Sequence, residues 1–331
     1  MRARAAAFAD RLLGSLVALV IRMLRRTDPD RAADFAASVL RRIGPWLPVH
    51  RIGRANLKAA FPDRDAAWIE RTLRGVWDNL GRVAAEYVHL RRLWDYDPEN
   101  PNSGRIVTDD AERFLALRDD GRPALAFAAH LGNWELPAVA AATHGLPSAV
   151  VYRLPNNRAV GTEIERIRGG LMGRLIRSRP EAVFEMAAAL ERGEHLGMLV
   201  DQHWSRGVDV VFFGRICRAN PTLARLARQF ECPVVGVRVI RLPNRRFRVA
   251  LEGPLPLPRD AEGRVDVAAL MQQVTSKVED WIREHPDQWL WFHRRWRPLS
   301  PRAGQASVSA GMAMAATETN WQPATAAPKS N

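Results

Sequence analysis

Apolar and polar positions divide the chain into two regimes. Between residues 30 and 95, apolar side chains such as Phe35, Val39, Leu40 and Ile43 recur at three-to-four spacing, which predicts helices broken at Pro45, Pro48 and Pro62. From about residue 105 to 255 the period changes to short apolar runs: Ala124–Ala129, Ser148–Tyr152, Gly197–Val200, Val234–Ile240 and Phe247–Leu251. Between them lie helical patterns at Leu136–Thr143, Glu163–Arg177, Ala182–Arg192 and Leu223–Phe230, and Val267–Glu284 follows before a Trp-rich segment, Gln288–Pro298. This alternation predicts an α/β fold, a mixed central sheet covered by helices. Reactive groups in such a sheet gather at strand ends.

One strand end carries candidate chemistry. The run Ala124–Ala129 is followed at once by His130, Leu131, Gly132, Asn133, Trp134 and Glu135. Residues five apart in a continuous helix sit about 140° round the axis, so this His and Glu meet only if a turn separates them. Gly132 permits that turn and Asn133 suits an N-cap, which places His130 at a strand end and Glu135 in the first turn of the next helix. Pro137 agrees with a first turn. A carboxylate accepting from one imidazole nitrogen leaves the other free as a base. No GxSxG elbow supplies a serine, so the nucleophile is expected to belong to the substrate.

With 331 residues and 47% apolar content, the chain can bury one large core. Its net charge of +13 is carried almost wholly by arginine, which suits a partner rich in phosphate or carboxylate. Charge alone would also fit a nucleic-acid-binding protein, but no helix-turn-helix, RNA-recognition or zinc pattern is present. Cys217 and Cys232 are too few for a disulfide framework and point to a reducing side of the cell. Leu12–Ile21 is apolar or small, but Asp10, Arg11, Arg22, Arg25 and Arg26 flank it, and a spanning helix needs about 20 residues. A tilted or interfacial N-terminal membrane-associated helix over residues 1–28 is therefore expected, followed by the main domain over 29–300. Residues 301–331, dominated by Ala, Ser, Thr and Gly, read as a disordered tail.

Five blocks in order carry a resemblance. HLGNWE at 130–135, Tyr152 and Arg153 followed by Asn156 and Asn157, Asp201 with Gln202, Phe212–Phe213–Gly214, and PDQWLWFHRRWRP at 286–298 resemble the late acyltransferases of lipid A biosynthesis, within the glycerolipid acyltransferase-like group. An upstream stretch, Arg54, Asn56, Leu57, Ala60, Phe61 and Pro62, resembles that family's N-terminal block. Two positions depart from its usual prolines: Leu154 follows Arg153, and Arg158 follows Asn157.

The resemblance implies an O-acyltransferase on the cytoplasmic face of the inner membrane. Its donor would be an acyl carrier protein thioester, its acceptor a hydroxyl of a lipid A precursor, and no cofactor or metal would be required. His130 and Glu135 would be catalytic, and Arg153, Asn156, Arg174, Asp201 and Gln202 would bind substrate, Asp201 and Gln202 equally fitting a supporting hydrogen-bond role. The tryptophans of 289–296 read as packing groups, with Arg294 and Arg295 directed to lipid phosphates. An acceptor such as a phosphatidylinositol mannoside is the alternative within the same chemistry.

Overall fold

The computed structural model describes residue 14 and residues 17–101, 103–154 and 157–297. The tail 301–331 and most of the expected N-terminal anchor lie outside the described residues. Residues 17–24 are helical, and among the described residues no helix is long and apolar enough to cross a membrane.

Residues 29–93 are largely helical, as their period predicts. Asp28 caps the helix Pro29–Ile43 by accepting from the Asp30 and Arg31 amides, and Asp65 caps Ala66–Glu86 by accepting from Trp68 N. Pro29 and Pro48 each open a helix, at the position where a missing N–H costs nothing.

The described residues contain nine strands: β1 (Ile106–Val107), β2 (Leu125–Ala128), β3 (Ser148–Tyr152), β4 (Arg174–Arg177), β5 (His195–Leu199), β6 (Val208–Phe212), β7 (Arg215–Ala219), β8 (Val234–Arg241) and β9 (Phe247–Glu252). Seven form one sheet in the order β1-β9-β8-β2-β5-β3-β4, parallel everywhere except between β8 and β9. The mixed sheet covered by helices is thus as expected. β6 and β7 form a separate antiparallel hairpin turned at Phe213 and Gly214, both at positive φ, the geometry that matches strand twist.

One expected helix is shorter than its pattern. Glu163–Arg177 was expected to be helical throughout, but the helix Arg158–Arg168 ends before Gly169, Gly170 and Gly173, and residues 174–177 form the edge strand β4. Three glycines in five residues weaken the helix, and pairing with β3 buries Ile176 instead.

Alternation along the strands gives the sheet two unlike faces. Leu125 and Phe127 face the main core, where Phe127 stacks on Trp281 of the helix Val267–Glu284 at 5.4 Å. Ala126 and Ala128 face the other way, toward the side where the helix Leu136–Thr143 crosses β3 and β8. Small side chains leave space there. A cavity of about 1410 Å³ lies along this face, lined by Ala126, Ala128, Val150, Gly197, Leu199 and Phe114 among others.

Candidate active site

β2 and β5 run parallel with Ala128 opposite Leu199, so continuing the register by two residues brings His130 beside Asp201. The contact is direct. His130 Nδ1 lies 2.8 Å from Asp201 Oδ1, and the His130 amide donates to Asp201 Oδ2 at 2.8 Å. Trp289 Nε1 donates to the same Oδ2 at 2.7 Å, so the fully buried carboxylate is held on both oxygens. A carboxylate accepts only, so Nδ1 carries the proton and Nε2 presents its lone pair. Nε2 lines the cavity side, with the Gln202 amide nitrogen 3.5 Å away and the Trp134 ring edge-on at 5.2 Å.

The electrostatics follow from this pairing. Burial disfavours the imidazolium, but the charge and hydrogen bond of Asp201 outweigh it and raise His130 above its ordinary value. Burial likewise works against the ionised Asp201, yet the imidazole and the backbone donor hold it well below the usual carboxylate range. His293, close to both, is held down at about 4 by burial. It stays neutral and does not compete for Asp201.

The expected hydrogen bond between His130 and Glu135 is replaced by another arrangement. Glu135, itself buried, accepts from Arg168 Nη2 at 2.6 Å and Nε at 3.1 Å, while Asp201 occupies the imidazole. The physical reason is reach. Asp201 arrives on the neighbouring strand in register with His130, whereas Glu135 has passed the turn and faces the helix Arg158–Arg168. Arg168 in turn lies over the rings of Tyr87 and Tyr152, at 5.7 and 5.4 Å. Glu135 still acts on His130 through its field, one of the influences that raise the imidazole.

The turn between them is clamped from behind by buried polar groups. Asn133 accepts from the Glu135 amide through Oδ1 at 3.3 Å, the expected cap-type bond, and donates from Nδ2 to Glu86 Oε2 at 2.8 Å, while Glu86 takes a two-pronged contact from Arg241 at 2.6 and 2.8 Å. Asn79 donates to the Gly132 and Gln288 carbonyls, both at 3.0 Å, and Gln288 O accepts from Gly132 N at 3.1 Å. Gly132 sits at φ +57, and a Cβ there would lie 2.0 Å from Val239 O. Gly132→Ala is expected to cost at least about 2 kcal/mol, strain and clash together, and to lower activity at temperatures where the protein stays folded; thermal unfolding and a rate assay check this.

The other sequence candidates separate. Arg153 and Gln202 are exposed and line the cavity. Asn156 lies outside the described residues. Arg174 is not at the cavity: it sits on the exposed edge strand β4 and pairs with Glu194 at 2.9 Å, because its segment is a strand and not a helix. Asp201 is too buried to touch substrate and serves His130 instead. Trp289, Trp291 and Arg295 are buried, and Arg295 donates to the Arg218 carbonyl at 2.6 Å, so it cannot reach a lipid phosphate. Arg168, Glu86, Arg241 and Asn79 were not singled out as a network by sequence reasoning; their partners lie far away in the chain, and only their polarity inside apolar periods could have pointed to them.

Glu135→Gln would leave the largely buried Arg168 uncompensated. It is expected to destabilise the fold by about 3 kcal/mol, measured by denaturant unfolding, while the pH dependence of the reaction moves less than when Asp201 is changed.

A base held by a buried carboxylate at the mouth of an apolar cavity suits transfer of a long-chain group to a nucleophile brought by the substrate. No curated protein matches the chain. The model of the bacterial lipid A biosynthesis acyltransferases, however, matches residues 4–298, a span that contains every described residue, and the protein belongs to that acyltransferase family.

Proposed function

We propose that the protein transfers a fatty acyl chain from an acyl carrier protein thioester to a hydroxyl of a lipid A precursor at the cytoplasmic face of the inner membrane, with His130 as general base. The observation that carries this reading is the His130–Asp201 pair, its Nε2 facing the apolar cavity with the Gln202 amide nitrogen 3.5 Å away. Nε2 takes the proton from the acceptor hydroxyl as its oxygen attacks the thioester carbonyl. The tetrahedral intermediate then collapses, the C–S bond breaks, and the imidazolium returns the proton to the leaving thiolate. Asp201 holds the tautomer and stabilises the imidazolium; Glu135 adds a second negative field. The Gln202 amide and the Arg153 guanidinium are the donors on the cavity wall that suit the developing oxyanion.

Charge at the rim supports an acidic donor and a phosphorylated acceptor. Arg153, Arg206 and Arg225 are exposed on the cavity wall and have no carboxylate partner among the described residues, so three uncompensated guanidinium groups stand around the cavity. Arg206→Glu combined with Arg225→Glu is expected to raise KM for the acyl carrier protein about tenfold with a smaller change in kcat, and the wild-type rate should fall with salt. Equal KM values in both proteins would remove the rim from donor binding.

Membrane attachment is supported by the exposed Leu19, Val20 and Met23 interleaved with Arg22, Arg25 and Arg26, and by Trp46, 85% exposed at the turn after Pro29–Ile43. The reading is tested by mass spectrometry of the product formed from purified protein, acyl carrier protein thioester and lipid A precursor. One added acyl chain supports it; an unmodified acceptor with active donor present overturns it.

A further inference from the structure

The cavity wall is ordered in rows by strand register. Val235, Ala126, Gly197 and Val150 stand opposite one another across β8, β2, β5 and β3, and one step further from His130, Ser148 stands opposite His195. All six line the cavity. At about 3.3 Å per residue, the Gly197 row lies about 13 Å along the strands from His130, and the Ser148–His195 row about 20 Å. The two rows differ in chemistry.

At Gly197 the wall lacks a side chain. A Cβ built there would have only the Ala149 carbonyl near it, at 3.8 Å, so a substituent would stand in the cavity without displacing backbone. The next row is polar. His195 is buried and its Nε2 lies 2.9 Å from the Leu117 carbonyl, which can only accept, so Nε2 holds the proton and Nδ1 is a bare acceptor. That Nδ1 and the Ser148 hydroxyl are both buried with no protein partner. Both atoms lie just beneath the wall surface, and an apolar chain end seated on this row would seal them from any partner.

We propose that these rows select acyl length: Gly197 keeps the channel open at mid-depth, and the Ser148–His195 pair stops the chain end by its polarity. The proposal rests on the acyl-transfer reading above and adds the depth at which the chain must end. Methylene burial favours longer chains up to the polar row, and covering two unsatisfied hydrogen-bonding groups with apolar chain opposes any chain that passes it.

The test uses the full-length protein and a series of acyl-pantetheine thioesters from octanoyl to stearoyl, with direct binding measured by calorimetry and transfer by competition and mass spectrometry. Gly197→Leu should abolish binding of the longest thioesters while binding of octanoyl stays within about twofold of wild type, with Gly197→Ala intermediate. Ser148→Ala should raise the use of the longest donors relative to the preferred one by about fivefold, one polar group being removed from the stop. Unchanged length profiles in Gly197→Leu and Ser148→Ala would overturn the proposal. If wild type binds the series with a length cut-off that Gly197→Leu shortens, yet transfers no chain to a lipid A precursor, the channel stands and the acceptor assignment falls.

Discussion

His130→Ala is expected to lower kcat for acyl transfer by about 10³- to 10⁴-fold, the range general-base catalysis contributes. An acceptor hydroxyl is a poor nucleophile until its proton is removed, and the His130 Nε2, which the Gln202 amide nitrogen approaches at 3.5 Å, is the nitrogen base on the cavity wall held by a buried carboxylate. His293 cannot replace it, because burial holds that ring down at about 4 and it does not line the cavity. The substitution should cost little in folding, since the backbone amide of residue 130 still donates to Asp201 Oδ2, as does Trp289. Donor binding should also persist, as the cavity and the rim arginines are untouched. Equal KM for the thioester with a rate near background is the expected pattern, measured by transfer to lipid A precursor with thioester binding followed separately. A rate within about tenfold of wild type would remove His130 from the proton-transfer step.

How far the site was legible depended on whether its parts are local. The strands β2, β3, β8 and β9 and the helix Leu136–Thr143 show their periods within a few residues, and the structure has them within about a turn of the expected limits. β4 was hidden because Arg174–Arg177 looks like the end of an arginine-bearing helix until the glycines before it and the pairing with β3 are known. β1 is two residues long and carries no period at all. Within the site, His130 was visible because a polar residue ending an apolar run marks a strand end. Asp201 carries the same signal, since it closes the run Gly197–Val200.

What local pattern did not reveal is that β2 and β5 are neighbours. Once they pair, the two run ends align and the carboxylate 71 residues away becomes the imidazole partner. Glu135, five residues away, was the nearer choice in sequence but is separated from the ring by the turn and paired with Arg168. Buried charges of this kind require a partner, so finding Arg168 beside Glu135 also explains why Arg168 is turned inward while Arg166 of the same helix is exposed.

Asp201→Asn separates the two carboxylates by function. The amide occupies nearly the same volume but can present an N–H to Nδ1, which favours the tautomer with the proton on Nε2, the wrong one for a base. A loss of about 10³-fold in kcat is expected, with the fold retained because Trp289 Nε1 and the His130 amide can still donate to the remaining carbonyl oxygen. The pH profile gives the sharper readout. Asp201 is the main influence raising the imidazole against burial, so wild-type activity should fall as pH drops through a pKa raised from the ordinary histidine value, where His130 becomes protonated and ceases to be a base. Without that charge, burial dominates and the imidazole pKa falls. The acidic limb of log kcat/KM should therefore move to lower pH in Asp201→Asn, even as the plateau drops. In Glu135→Gln it should move in the same direction but less, because that carboxylate acts on the ring only through space. The reverse order, with Glu135→Gln shifting the limb further than Asp201→Asn, would make Glu135 the partner of His130 during catalysis and require the loop 130–135 to rearrange when substrate binds.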